Sequence, residues 1–198
     1  GMRLEDWQRV VIAAQACLPV LRLGLRWYEG FHEIIVYPAG FVVEHEEVDE
    51  AGVVGYRRRA LSGESWLRGP VVLAWEDVEH GAREPHDGSN VVIHEFAHKL
   101  DMENGAANGM PPLHPDMDRE TWTRVMQRAY DHHCALVRRG HAPIIDAYAA
   151  EGPGEFFAVI SEAFFEQPHR LQRHYPAVYA QLVAFYRQDP GAAPWRLL

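Results

Sequence analysis

Between Val91 and Asp101 the chain reads Val-Val-Ile-His-Glu-Phe-Ala-His-Lys-Leu-Asp, with two histidines four positions apart. On a helix that spacing sets His94 and His98 on one face, about one turn from each other. Two neutral imidazoles so placed can share a zinc ion, and Glu95 then stands where it can take a proton from an activated water. With 12 histidines in 198 residues, chance placement would give this five-residue pattern in roughly 7% of such chains, so the flanks must carry part of the argument. Val91, Val92, Ile93, Phe96, Ala97 and Leu100 are apolar, the pattern of a buried helix with one polar stripe. Asp87, Gly88, Ser89 and Asn90 offer start or cap residues before it, and Asn104-Gly105 offers a stop after it.

A chain of this length can bury a core as one domain. A formal net charge of −9 argues against nucleic acid as a partner, because phosphate binding needs a basic field. The basic cluster Arg57-Arg58-Arg59 reads as a solvated strand end. Cys17 and Cys134 are too few for a disulfide framework and neither lies in a Cys-x-x-Cys, which points to a reducing, cytoplasmic setting. No apolar run approaches the ~20 residues of a membrane span. Ala14-Gln15-Ala16 resembles a leader cleavage site, but Glu5 and Asp6 spoil the basic start and the apolar stretch is short. Gly1 before Met2 reads as a tag remnant, so the natural chain is expected to begin further upstream.

Periodicity predicts a helix over Leu4 to Cys17, then a short helix or loop from Val20 to Tyr28. Strands are expected at Glu33 to Tyr37, Phe41 to Val43, Val53 to Ala60 and, most clearly, Val71 to Trp75. That last strand is expected at the rim of a cleft, free to pair with an extended substrate backbone. The acidic run Glu44 to Glu50 reads as solvated loop, Ser62 to Ser65 as a turn, and Glu76 to Ser89 as a polar loop. After the motif helix come a long loop from Gly105 to Pro115 and a long helix from Glu120 to Arg139. Further helices are expected at Pro153 to Glu166 and Ala177 to Gln188. Strands first and helices later predict an α+β fold, a small mixed or antiparallel sheet packed on helices.

A catalytic zinc needs three protein ligands and a position left for water. Asp101 lies three residues past His98, but its short side chain suits a supporting role: a hydrogen bond to a ligand imidazole, or service to the helix end or following loop. Glu155, Glu162 and Glu166 lie on the predicted Pro153–Glu166 helix, and spacing alone leaves Glu155 and Glu162 evenly matched. His80 and His86, in the loop before the motif, read as bystanders.

Ordered matches along most of the chain carry a resemblance. They include Leu18-Pro19-Val20-Leu21, Gly30-Phe31-His32-Glu33, Ser62-Gly63-Glu64-Ser65-Trp66, Gly69-Pro70-Val71-Val72-Leu73 and Ile93 through Asp101. Asp146-Ala147-Tyr148-Ala149-Ala150, Glu155-Phe156-Phe157-Ala158-Val159 and Phe185-Tyr186-Arg187-Gln188-Asp189-Pro190 complete them. The chain resembles the Mlc titration factor A family of bacterial cytoplasmic zinc peptidases. The family is itself similar to the gluzincins and to the catalytic domain of anthrax lethal factor. The resemblance implies a single zincin-like metallopeptidase domain over residues 1–198, lacking an N-terminal extension that members carry. It implies zinc held by His94, His98 and Glu155, with Glu95 as the base and Tyr148, seven residues before Glu155, assisting catalysis. It also implies aminopeptidase action on small peptides and binding of the glucose-regulated repressor Mlc. The competing expectation is a zinc-containing regulator without catalysis that sequesters a transcription repressor.

Overall fold

In the computed structural model the motif helix lies between two apolar clusters, one built on strands and one on helices. The structure describes residues 1–48, 54–61, 63–65 and 69–192. In chain order its elements are α1 (Asp6–Cys17), β1 (Ile34–Tyr37), β2 (Phe41–Val48), β3 (Val54–Leu61), β4 (Gly63–Ser65) and β5 (Val71–Ala74). Then follow α2 (Trp75–Arg83), α3 (Val91–Asp101), α4 (Arg119–Arg138), α5 (Pro153–Glu166), α6 (Pro168–His174) and α7 (Pro176–Tyr186). Short 3-10 turns occupy Leu25–Tyr28, Met102–Asn104 and Ala147–Ala150. The fold is α+β.

The main sheet is mixed and three-stranded, in the order β1-β5-β4. β5 runs parallel to β1, pairing Ile34 with Val71 and Tyr37 with Ala74, and antiparallel to β4, pairing Gly63 with Leu73. A central strand covered on both faces tolerates no polar side chain, which is why Val71-Val72-Leu73-Ala74 is apolar throughout and buried. Both edges of β5 are therefore used, and the expectation that it would pair with a substrate is wrong. The edge strands of this sheet are β1 and β4, each paired among the described residues with β5 alone.

Val71, Leu73, Val78, Val92 and Phe96 meet α1 through Ile12 and Ala16 in the first cluster. Ala97 and Leu100, on another face of α3, join Trp122 and Met126 of α4, most of α5, and Leu182 and Phe185 of α7 in the second. Asn90 caps α3 by accepting a hydrogen bond from the Ile93 amide at 3.1 Å. α5 opens with Pro153 in its first turn, where a missing N–H costs nothing.

Several expectations need correction. The acidic run is not loop as far as Val48: β2 continues through it and pairs antiparallel with β3, setting Glu44 opposite Arg58 and His45 opposite Arg57. The arginine cluster is mid-strand, not a strand end. Asp49, Glu50, Val53 and Ser62 lie outside the described residues, as does Trp66. Gly63–Ser65 is strand, not turn. Trp75–Arg83 is helix, not loop; Trp75 and Val78, three apart, face the first cluster, and the rest of the segment is mostly polar. α6 was not anticipated; it starts at Pro168, two residues past the end of α5.

Candidate metal centre

α3 carries His94 and His98 on one face, their rings 4.8 Å apart between centroids. The Nε2 atoms are 3.2 Å from each other, and Oε2 of Glu155 is 3.2 Å from each. Three donor atoms thus form a near-equilateral triangle. α5 brings Glu155 there from its first turn, because the start of α5 approaches the loop after α3 without side chains in the way. A Cβ on Gly154 would lie 3.0 Å from the Ala107 carbonyl, and one on Gly109 2.6 Å from that of Pro153. Asp101 fixes that loop: its Oδ2 accepts from the Gly109 amide at 2.7 Å, and Trp122 Nε1 donates to the Gly109 carbonyl at 3.1 Å. Of the supporting roles open to Asp101, the structure selects the loop. Burial pushes its carboxyl up to about 6.

Glu162, the rival for the third position, lies outside the triangle. One carboxylate oxygen meets His94 Nδ1 at 2.8 Å, and the other accepts from the Asn90 amide at 2.5 Å. A carboxylate on Nδ1 holds the proton there and leaves the Nε2 lone pair directed at Glu155 and His98. Glu166, a turn further on, accepts from Asn90 Nδ2 at 3.0 Å and from the Gly88 amide at 3.1 Å. Glu155, Glu162 and Glu166 thus share one face of α5 and do three different things.

Glu95 is 4% exposed, and its Oε2 has no hydrogen-bond partner among the described residues. Burial pushes its carboxyl up to about 7, against the pull of His94 and His98. At His94, burial alone would lower the imidazole. The hydrogen bonds to Glu155 and Glu162 outweigh that and carry it well above its ordinary value. Burial would raise Glu155, yet its bonds to the two histidines hold it far below the usual carboxylate range. The cluster therefore draws positive charge to itself.

Tyr148 stands on the Ala147–Ala150 turn, started by Asp146, whose side chain accepts from the Tyr148 amide at 2.7 Å. Its ring centroid is 6.1 Å from that of His94. His94, Glu95, Tyr148 and Gly63 line a cavity of about 300 Å³. His80 borders it too, but pairs with Asp87 at 2.9 Å, and His86 packs on the Glu166 carbonyl at 3.4 Å; neither joins the triangle. Gly63 was not singled out as a site residue, because a glycine leaves no chemical signature in a sequence.

Residues 1–187 match the model of the family described as glucose-regulated metallo-peptidase M90. The chain belongs to that family. Mlc titration factor A of Salmonella arizonae is 43% identical over 195 residues, covering 96% of this chain and 76% of that protein. The proteins of that name from Salmonella paratyphi B and Salmonella typhimurium are 42% identical over 195 residues, covering 96% of this chain and 72% of theirs. The resemblance to the Mlc titration factor A family read from the sequence is borne out.

M90 metallo-peptidase character implies a divalent metal, and the residues fit one on two counts. A tetrahedral ion with ligands at about 2.0–2.1 Å separates neighbouring donor atoms by about 3.3 Å, close to the 3.2 Å edges of the triangle. The field that raises His94 also favours a cation. No helix among the described residues is long and apolar enough to cross a membrane.

Proposed function

We propose that this chain is a zinc-dependent peptidase acting as an aminopeptidase on short peptides. The observation that carries the reading is the His94–His98–Glu155 triangle beside the buried carboxyl of Glu95. In this reading His94, His98 and Glu155 hold zinc. When bound, the ion lowers the pKa of a water and polarises the scissile carbonyl. Glu95 takes the water's proton and passes it to the leaving amine. General acid–base catalysis of this kind contributes about 10²–10⁴-fold. Tyr148 donates a hydrogen bond to the carbonyl oxygen as it gains charge, a contact of the kind worth about 10²–10³ in rate. Glu162 keeps His94 in the tautomer a metal ligand needs.

An extended substrate would lie along the open flank of β4, over Glu95. The motif helix, the second helix supplying an acid and the small mixed sheet all support a zincin-like domain similar to the catalytic domain of anthrax lethal factor. The whole of residues 1–198 is read as that one domain. Two free thiols, Cys17 and Cys134, agree with a cytoplasmic protein.

A second role is proposed from the relatives' name: binding a repressor of the Mlc kind. It could stand beside catalysis or replace it. Release of p-nitroaniline from amino-acid nitroanilides decides between them. A peptidase shows turnover that a chelator abolishes and added zinc restores; a pure repressor-binding protein shows none in either state.

A further inference from the structure

We infer that Gly63 is the residue that sets the position of the Glu95 carboxylate, by leaving room for it. This rests on the reading of Glu95 as the base. Glycine in a strand weakens it, so its presence in β4 calls for a reason. Conformation is not that reason: Gly63 is absent from the glycines with positive φ, which include Gly24, Gly88 and Gly109. Space is. A Cβ at position 63 would lie 2.5 Å from Oε1 of Glu95, 2.7 Å from its Cγ and 2.8 Å from Cγ2 of Val91. Heavy atoms do not approach so closely, and ordinary contact begins near ~3.5 Å.

The strand backbone therefore presses directly on the base. β4 cannot yield readily, because Gly63 is held in register opposite Leu73 of the buried central strand. Glu95 cannot yield readily either, being buried on a helix packed against both clusters. Any side chain at 63 moves the carboxylate by about 1 Å, a misplacement that can cost about 100-fold in rate. None of the three atoms nearest that Cβ belongs to His94, His98 or Glu155. Gly63 is thus a positioning residue acting through Glu95.

The test is a thermal cycle on chelated protein with Gly63→Ala, Glu95→Ala and the double variant, beside Gly63→Ala with Val91→Ala. Gly63→Ala is expected to lower Tm by roughly 3–8 °C when Glu95 is present. Most of that loss should vanish when Glu95 is Ala, because both atoms of the base that collide with the new methyl are gone. If Gly63→Ala does not fold alone but folds with Glu95→Ala, the inference is supported in the same way. An equal loss in both backgrounds, failure to fold in both, or relief by Val91→Ala alone overturns it. In zinc-loaded protein, Gly63→Ala should keep its metal and lose about 100-fold in kcat with KM little changed. Absence of turnover in the wild type would sink the peptidase reading, while the thermal cycle would still report on the contact between Gly63 and Glu95.

Discussion

Glu162 gives one carboxylate oxygen to Nδ1 of His94 at 2.8 Å and the other to the backbone amide of Asn90, the residue that caps the same helix. A single side chain on α5 thereby orients a metal-ligand candidate and fixes the start of the helix that carries it. Replacing Glu162 by Ala should weaken zinc binding by about 10–100-fold, the usual cost of losing such a partner. Replacing Glu155 by Ala should abolish stoichiometric binding. Competition with a chromophoric chelator measures both. Zinc retained at full affinity by Glu155→Ala would remove that residue from the site.

Glu95→Gln should hold zinc as the wild type does and lose about 10²–10⁴-fold in kcat, since the amide cannot accept the proton. Metal analysis and nitroanilide turnover on the same sample check it. Unchanged turnover would exclude Glu95 as the base.

Tyr148→Phe should keep metal and KM and lose about 10²-fold in kcat, the loss expected for a donor that acts on the developing charge. A rise in KM with unchanged kcat would instead mark Tyr148 as a residue that only binds substrate.

Burial pushes Glu166 up to about 7, against the bonds from Asn90 and Gly88 that pull it down. A carboxyl raised above its unfolded value binds its proton more tightly when folded. Its contribution to stability is complete below about pH 4.5 and is lost as pH rises through about 7. Glu166→Gln removes that titration. Its Tm relative to the wild type should therefore climb between about pH 5 and pH 8, whatever the offset at the acid end. A constant difference across that range would show that Glu166 keeps its ordinary acidity.

Asp101 is completely buried and accepts the Gly109 amide. Asp101→Ala should cost about 1–3 kcal/mol in denaturant unfolding, because the half-buried Gly109 amide loses its acceptor. Zinc affinity should fall with it, because the loop that Gly109 belongs to supports the start of α5. Loss of stability with unchanged zinc affinity would confine Asp101 to the loop.

Some of the fold could be read directly. α3 and α5 fall where patterning and Pro153 place them, and β5 stops one residue short of the expected strand, at Ala74. Other parts could not. Trp75–Arg83 is short and mostly polar, and it meets the cluster beneath it through Trp75 and Val78. The strand continuing through Glu44 to Val48 is paired along its length with β3, and a strand's partner is not visible in its own residues. Gly63 became meaningful only when a Cβ could be placed on it.

The amino-acid sequence alone determined that His94, Glu95 and His98 share one turn of one helix, because helical geometry is local and spacing fixes it. Spacing also offered Glu155, Glu162 and Glu166 at helical period on one face of α5, with Glu155 and Glu162 evenly matched until the family resemblance named Glu155. Which of the three reaches the imidazoles depends on how far along α3 the other helix lies. Packing between segments 61 residues apart sets that, through the bare approach of Gly154 to Ala107 and the anchoring of Gly109 by Asp101. Only the tertiary structure brought Glu155 into the triangle, put Glu162 behind His94 and laid a side-chain-free stretch of strand against Glu95.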